Sequence, residues 1–128
     1  MRFLLDTNAI IAMHKHESFR AKLLQYHVAD IAISVITQYE LYYGAFNGSP
    51  QHLSSNLLRI ENIPFTALTF TPDDAKQAAI IRAATKNQPI GAYDILIAAQ
   101  ALERDLILVT HNTREFVRVP HLRLEDWL

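Results

Sequence analysis

The chain has 128 residues, half of them hydrophobic and a fifth charged. That suits one domain over residues 1–128, with enough apolar material for a core that needs no covalent staple. There is no cysteine, which excludes a disulfide framework and a thiolate metal site, and 12 Lys and Arg against 13 Asp and Glu leave a net charge of −1.

In chain order, RFLL at 2–5 reads as a short buried strand that ends on Asp6. TNAIIAMHK follows as a short helix, and ESFRAKLLQYHV at 17–28 places Phe19, Leu23, Leu24 and Val28 at helical spacing. IAIS at 31–34 is a second buried strand. The pattern from Ile36 to Phe46 is helical and is closed by the turn residues Asn47, Gly48, Ser49 and Pro50. Residues 52–62 predict a further helix, and FTALTF at 65–70 alternates as a strand.

TPDDAKQAAIIRAATK at 71–86 is a well-marked helix. Thr71 can cap it, Pro72 suits its first position, and Asp73 and Asp74 lie where the helix dipole favours anions. AYDILIAAQALERD at 92–105 is a helix that is apolar almost all round, hence buried. LILVT at 106–110 is a strong buried strand, and HLRLEDWL at 121–128 adds a last short one. Short apolar strands separated by helices predict an α/β domain with a mainly parallel sheet covered on both faces.

Sites in such sheets form beyond the carboxyl ends of the strands. Asp6 stands at one such end; by itself it is equally a cap for the next helix. Glu40 lies at the edge of the stripe Ile36, Tyr39, Tyr43 and Phe46, where a glutamate ordinarily pairs with a base. Asp94 falls in the first turn of the apolar helix, after the turn Ile90-Gly91, and the dipole alone explains an acid there. Thr110, His111, Asn112 and Glu115 follow the strand LILV as an ordinary polar loop would. Together these residues say more. Acids gathered at strand ends repel one another and raise each other's pKa, and a divalent cation relieves that repulsion. Oxygen donors with no cysteine and no HxxxH or HExxH pair favour Mg²⁺ or Mn²⁺ over zinc. The matching chemistry is attack of water on a phosphodiester.

The segments LLDTNAII at 4–11, SVITQYELYYGA at 34–45, PIGAYDILIAAQAL at 89–102, LVTHNTREF at 108–116 and the closing RLEDWL appear in an order and spacing that resembles the PIN-domain family. The likeness is strongest to the VapC-type toxin ribonucleases of bacterial toxin–antitoxin pairs, and it covers essentially the whole chain. It implies a three-layer α/β/α sandwich on a short parallel sheet, a Mg²⁺- or Mn²⁺-dependent endoribonuclease, and a homodimer. Asp6, Glu40 and Asp94 match the family's acidic triad, with Asp6 and Asp94 at the metal-ligand positions, while Ser34 and Thr37 match a motif that shapes the site. Many PIN domains carry a fourth acid where this chain has Asn112; the VapC subgroup has asparagine there and a glutamate three residues on, which is Glu115. Glu115 is therefore the candidate fourth carboxylate, acting through a water.

The same resemblance implies a structured RNA substrate, a tRNA, with the anticodon stem-loop of initiator tRNA as the specific expectation. It also implies a VapB-like antitoxin that blocks the acidic cleft, often with an arginine. Lys15, Arg82, Lys86, Arg114 and Arg118 are candidate phosphate contacts, each equally readable as solvated surface charge. Tyr39, Tyr42, Tyr43 and Phe46 can line a partner or dimer face, or pack into the domain's own core. The absence of a basic leader and of a bilayer-length apolar run predicts a cytoplasmic protein with no membrane contact.

Three other readings compete. An aspartate-nucleophile phosphatase needs a second acid where Asn8 stands. A PIN-like module that binds RNA or protein without cleaving it, or an RNA-processing nuclease outside any toxin pair, shares every motif above.

Overall fold

The computed structural model describes residues 1–128. Five strands form one sheet: β1 (Phe3–Leu5), β2 (Ile31–Ser34), β3 (Thr66–Leu68), β4 (Ile107–Val109) and β5 (Leu124–Glu125). Their order is β3-β2-β1-β4-β5, and every pairing is parallel. The helices are α1 (Thr7–Lys15), α2 (Glu17–Leu23), α3 (Val35–Asn47), α4 (Leu53–Glu61), α5 (Pro72–Ala84), α6 (Ala92–Glu103) and the one-turn α7 (Thr113–Phe116).

Alternation along the central strands divides the core between the two faces of the sheet. Leu4, Ala32 and Leu108 face one way, into a cluster with Ala78 and Ile81 of α5, Ile95 and Ala98 of α6, and Phe116. Phe3, Leu5, Ile31, Ile33 and Val109 face the other way, against Ala9 and Ile10 of α1 and Phe19 of α2. Because helices cover both faces, the central strands are almost wholly apolar, with Thr66 and Glu125 confined to the edge strands β3 and β5, and the expected three-layer sandwich is what forms.

The chain lays β2 and β3 on one side of β1, then returns to place β4 on the other. The switch in direction falls between β1 and β4, where Asp6 N–H donates to Val109 O at 3.1 Å. A crevice opens at such a point because the connections on its two sides leave in opposite directions.

One helix differs from the sequence reading, and α3 settles a choice that the sequence left open. The helix expected over 17–28 stops at Leu23. Gln25 and Tyr26 N–H turn back onto Lys22 and Leu23 carbonyls, which carries Tyr26 under Trp127, stacked at a 5.3 Å centroid separation. Phe3 meets that Trp127 edge-on at 5.0 Å. Aromatic packing therefore prevails over helical periodicity, and Leu24 and Val28 are left exposed. In α3 the stripe Tyr39, Tyr43 and Phe46 points to solvent, while Thr37 and Ala45 are buried and Leu41 packs against the α1 face of the core. The smaller residues suit the close approach of α3 to its neighbours.

Away from the crevice, Asp74 and Arg104 pin α5 to α6 and to the end of β3. Thr71 and Asp74 form a capping box. Arg104 donates to both Asp74 oxygens, at 2.7 and 3.0 Å, and to the Gln100 and Thr69 carbonyls. Burial alone would raise the Asp74 pKa; the bonds from Arg104 and Thr71 outweigh it and hold the carboxyl below its usual range.

Candidate active site

Each acid reaches the crevice from a different element. Asp6 follows β1 and is the N-cap of α1, its Oδ1 accepting the Ala9 N–H at 2.8 Å. The capping reading holds, and the cap uses only one of the two oxygens. Asp6 is 2 % exposed. Burial raises its pKa from 3.8 to about 6; Glu40 adds to the rise, while the Thr110 hydroxyl and the Ala9 and Asn8 amides oppose it. A carboxylate that caps a helix and still resists ionisation is one whose desolvation exceeds what its hydrogen bonds return.

Glu40 sits on α3, which begins at Ser34, the last residue of β2. Ser34 Oγ accepts the Ile36 N–H at 2.9 Å and so sets where the helix starts. One and a half turns on, Glu40 is half-buried, and its Oε1 accepts the Thr7 hydroxyl at 2.6 Å. Thr7 Oγ1 also lies 3.3 Å from Thr37 Oγ1. Thr7 therefore ties the start of α1 to α3 and aims Glu40.

Asp94 lies in the first turn of α6, half-buried. Burial lifts its pKa from 3.8 to about 6, with the charges of Glu115, Asp6 and Glu40 adding to the effect in that order. Glu115 behaves in the opposite sense. Its Oε1 accepts the Gly91 N–H at 2.6 Å and its Oε2 accepts Asn112 Nδ2 at 2.9 Å. These bonds hold its pKa below the usual glutamate value. A side chain at Gly91 would place its Cβ 3.5 Å from Asp94 Oδ2 and 3.6 Å from Glu115 Oε1, so glycine leaves both acids unshielded by a neighbouring side chain.

All four predicted acids thus share one neighbourhood, with Asn112 bonded to Glu115. Glu115 braces the turn before α6 and faces Asp94, and each of its oxygens keeps a lone pair for a further contact. Two contributors, Thr7 and Thr110, read in the sequence only as turn or loop residues. Thr7 acts on a residue 33 positions away, a distance over which local pattern carries no signal. Thr110 is 1 % exposed beside Asp6, its Oγ1 accepting the Asn112 N–H at 2.9 Å.

Whether these residues suit a divalent cation is answered by their chemistry. The donors are oxygens only, and Asp6 and Asp94 resist ionisation partly because of their acidic neighbours, which is the strain a cation relieves. No three acidic or histidine side chains converge closely enough to enclose an ion unaided. That suits an ion which keeps much of its water, as Mg²⁺ does.

The chain matches the family model described as "PIN domain" over residues 3–122. It belongs to the PIN-domain family. It is 40% identical to the "tRNA(fMet)-specific endonuclease VapC" of Salmonella typhimurium, an alignment spanning 99% of this chain and 98% of that protein. It is 38% identical to the protein of the same description from Shigella flexneri, again over 99% and 98%. Among solved structures, the DNA-bound VapBC complex of Salmonella typhimurium contains a chain that superposes with a TM-score of 0.92, at 36% identity, covering 100% of this chain and 99% of that one. Within the PIN fold, the crevice at the β1–β4 switch is where the acids of this chain gather.

Proposed function

We propose that this protein is a VapC-type endoribonuclease toxin, that its substrate is a tRNA, and that a VapB-like antitoxin neutralises it. The observation that carries the reading is that Asp6, Glu40 and Asp94, from three separate elements, share one crevice of a PIN fold, where neighbouring acids add to the resistance of Asp6 and Asp94 to ionisation. The likeness to the Salmonella and Shigella tRNA(fMet)-specific endonucleases, end to end, supports initiator tRNA as the substrate, and we propose its anticodon stem-loop as the site of cleavage. Such a target is read by its shape and its unstacked loop rather than by a long sequence. The place of action follows the substrate, in the cytoplasm; no helix of the chain is long and apolar enough to cross a membrane.

Asp6 and Asp94 are the residues that would hold Mg²⁺ or Mn²⁺. When bound, the ion supplies a more acidic water and positive charge to offset that developing on the phosphoryl group. The protein's own groups do the rest. Thr7 holds Glu40 by Oε1, which leaves Oε2 to accept a proton from the attacking water. As the new oxygen–phosphorus bond forms, the bond to one ribose oxygen breaks, and that oxygen leaves with a proton. Glu115 and Asn112 fix the Gly91 turn, and with it the position of Asp94.

The acidic pocket also explains inhibition. An arginine from the antitoxin, bonded to these carboxylates, would satisfy the same excess of negative charge as the cation. The toxin is proposed to act as a homodimer, and the exposed Tyr39, Tyr43 and Phe46 on α3 are available for such contacts.

The test is cleavage of initiator tRNA, elongator tRNAs and their anticodon stem-loops by antitoxin-free protein in Mg²⁺, Mn²⁺ or EDTA. Discrete cleavage that requires the metal and is lost in Asp94→Asn is the expected result. RNA binding with no cleavage by the wild type, under all metal conditions, would replace the reading by that of a binding module.

A further inference from the structure

A large cleft lies beside the acids rather than among them. It runs between α5 and α6, has a volume of about 630 Å³, and is floored by Ala78, Ile90 and Ile95. That volume is in the range of ligand clefts, roughly 300–1,000 Å³. Its charged residues are Arg82 and Lys86, at the end of α5; no acid lines it. Both cations are exposed, and neither forms an ion pair. The wall nearest the crevice is Tyr93, 45 % exposed and adjacent in the chain to Asp94.

Tyr93 does not stand alone. Its ring meets Tyr39 edge-on at 5.4 Å, and the two hydroxyls lie 3.3 Å apart. Tyr39 in turn precedes Glu40 in sequence. The pair thus bridges the two helices that carry Glu40 and Asp94, at the border between acid crevice and basic cleft. The opposite rim is also fixed: Arg118 donates to the Pro89 carbonyl at 3.3 Å, and Glu115 holds Gly91. Such a cleft is preorganised, apolar in its floor, cationic at its edge, and walled by an exposed aromatic ring.

We propose that this cleft is a nucleotide subsite, and that it takes the unpaired nucleotide flanking the scissile phosphate, with the base against Tyr93 and a backbone phosphate at Arg82 and Lys86. The inference rests on the ribonuclease reading above and extends it to a specificity-determining residue. Charge selects the occupant: a cleft with two unpaired cations and no acid attracts a polyanion, and an aromatic wall beside them suits a base lifted out of its stack. The position selects the nucleotide, since the ring belongs to the residue immediately before Asp94. Tyr39 acts through Tyr93 as a positioning residue.

The test uses full-length antitoxin-free protein and an anticodon stem-loop RNA, with 2-aminopurine replacing the base next to the cut. Tyr93→Ala should raise KM on the order of 10-fold with little change in kcat, and should abolish the change in 2-aminopurine fluorescence on binding. Tyr93→Phe keeps the ring and should retain both. Arg82→Ala with Lys86→Ala should weaken binding and flatten its salt dependence, the slope of log K against log[salt] falling by about 0.7 for the one single-strand phosphate they hold. Unchanged KM and salt slope in a wild-type background that cleaves would overturn the subsite while sparing the ribonuclease reading. So would a shift in oligomeric state by light scattering as the sole effect of Tyr93→Ala, which would make the cleft a face between protein chains. A wild type that cleaves no RNA would bring down both.

Discussion

Replacing Asp6 by asparagine is expected to stabilise the protein in EDTA at neutral pH while removing its activity. Asparagine retains a side-chain oxygen for the Ala9 amide, and it caps helices as well as aspartate does. What changes is the buried charge. The folded chain holds the Asp6 proton to about pH 6, whereas the ordinary value is 3.8. A pKa raised on folding gives a contribution that is fully present below pH 3.8 and is lost as pH rises through about 6. At 1.36 kcal/mol per pH unit, the loss is about 3 kcal/mol by pH 7. The variant, having no proton to lose there, should gain about 3 kcal/mol on the wild type between pH 3.5 and 7. Removing the Asp6 charge also relieves Asp94, which acts in the same direction. For a chain of this length the shift in Tm is on the order of 10 °C. Thermal unfolding followed by circular dichroism, at half-unit steps of pH, measures it. Mg²⁺ should raise the Tm of the wild type and leave that of the variant in place. A stability difference that is constant across pH, or a variant that loses ground as pH rises, would refute the claim that desolvation dominates at Asp6.

Other outcomes follow from the same contacts. Thr7→Val removes the 2.6 Å bond to Glu40, and should cost about 1 kcal/mol of stability and lower kcat more than it raises KM in the tRNA cleavage assay. Glu115→Ala frees the Gly91 amide, so hydrogen exchange at Gly91 should quicken while the sheet amides are unchanged. The bonds to Glu115 lower its pKa, so its contribution is present above the ordinary 4.5 and is lost as pH falls through the depressed value. Arg104→Ala leaves Asp74 buried without its partner, and should cost about 3–5 kcal/mol in urea unfolding. The double replacement with Asp74→Ala should cost less than the sum of the two single ones.

The sheet was legible because its strands are buried on both faces. RFLL, IAIS and LILVT are short, continuous apolar runs, and nothing else in a chain of this size requires them. The Thr71 cap, Pro72 and the paired acids marked α5 for local reasons, and local rules were obeyed there. The helix at 17–28 failed where a distant partner intervened: Trp127, a hundred residues on, draws Tyr26 inward and ends α2 early. The direction of the α3 stripe stayed open for a related reason. Helical spacing shows that Tyr39, Tyr43 and Phe46 share a face; it does not show whether that face meets the core or the solvent.

For the site, the sequence by itself determined which acids stand at strand ends and helix starts, because a strand's termination and a helix's first turn are local events written in a few adjacent residues. It determined the donor chemistry too, since without cysteine or an HxxxH or HExxH pair the residues at those positions are acids, which offer oxygen donors. Only the tertiary structure decided how those acids act on one another. The raised pKa values of Asp6 and Asp94, the Thr7 hydroxyl on Glu40, and the Tyr39–Tyr93 bridge beside a basic cleft all join residues 30 or more positions apart or depend on burial by several elements at once. Coulomb energy and desolvation depend on distance in space and on what surrounds a charge, and those exist only once the chain has folded.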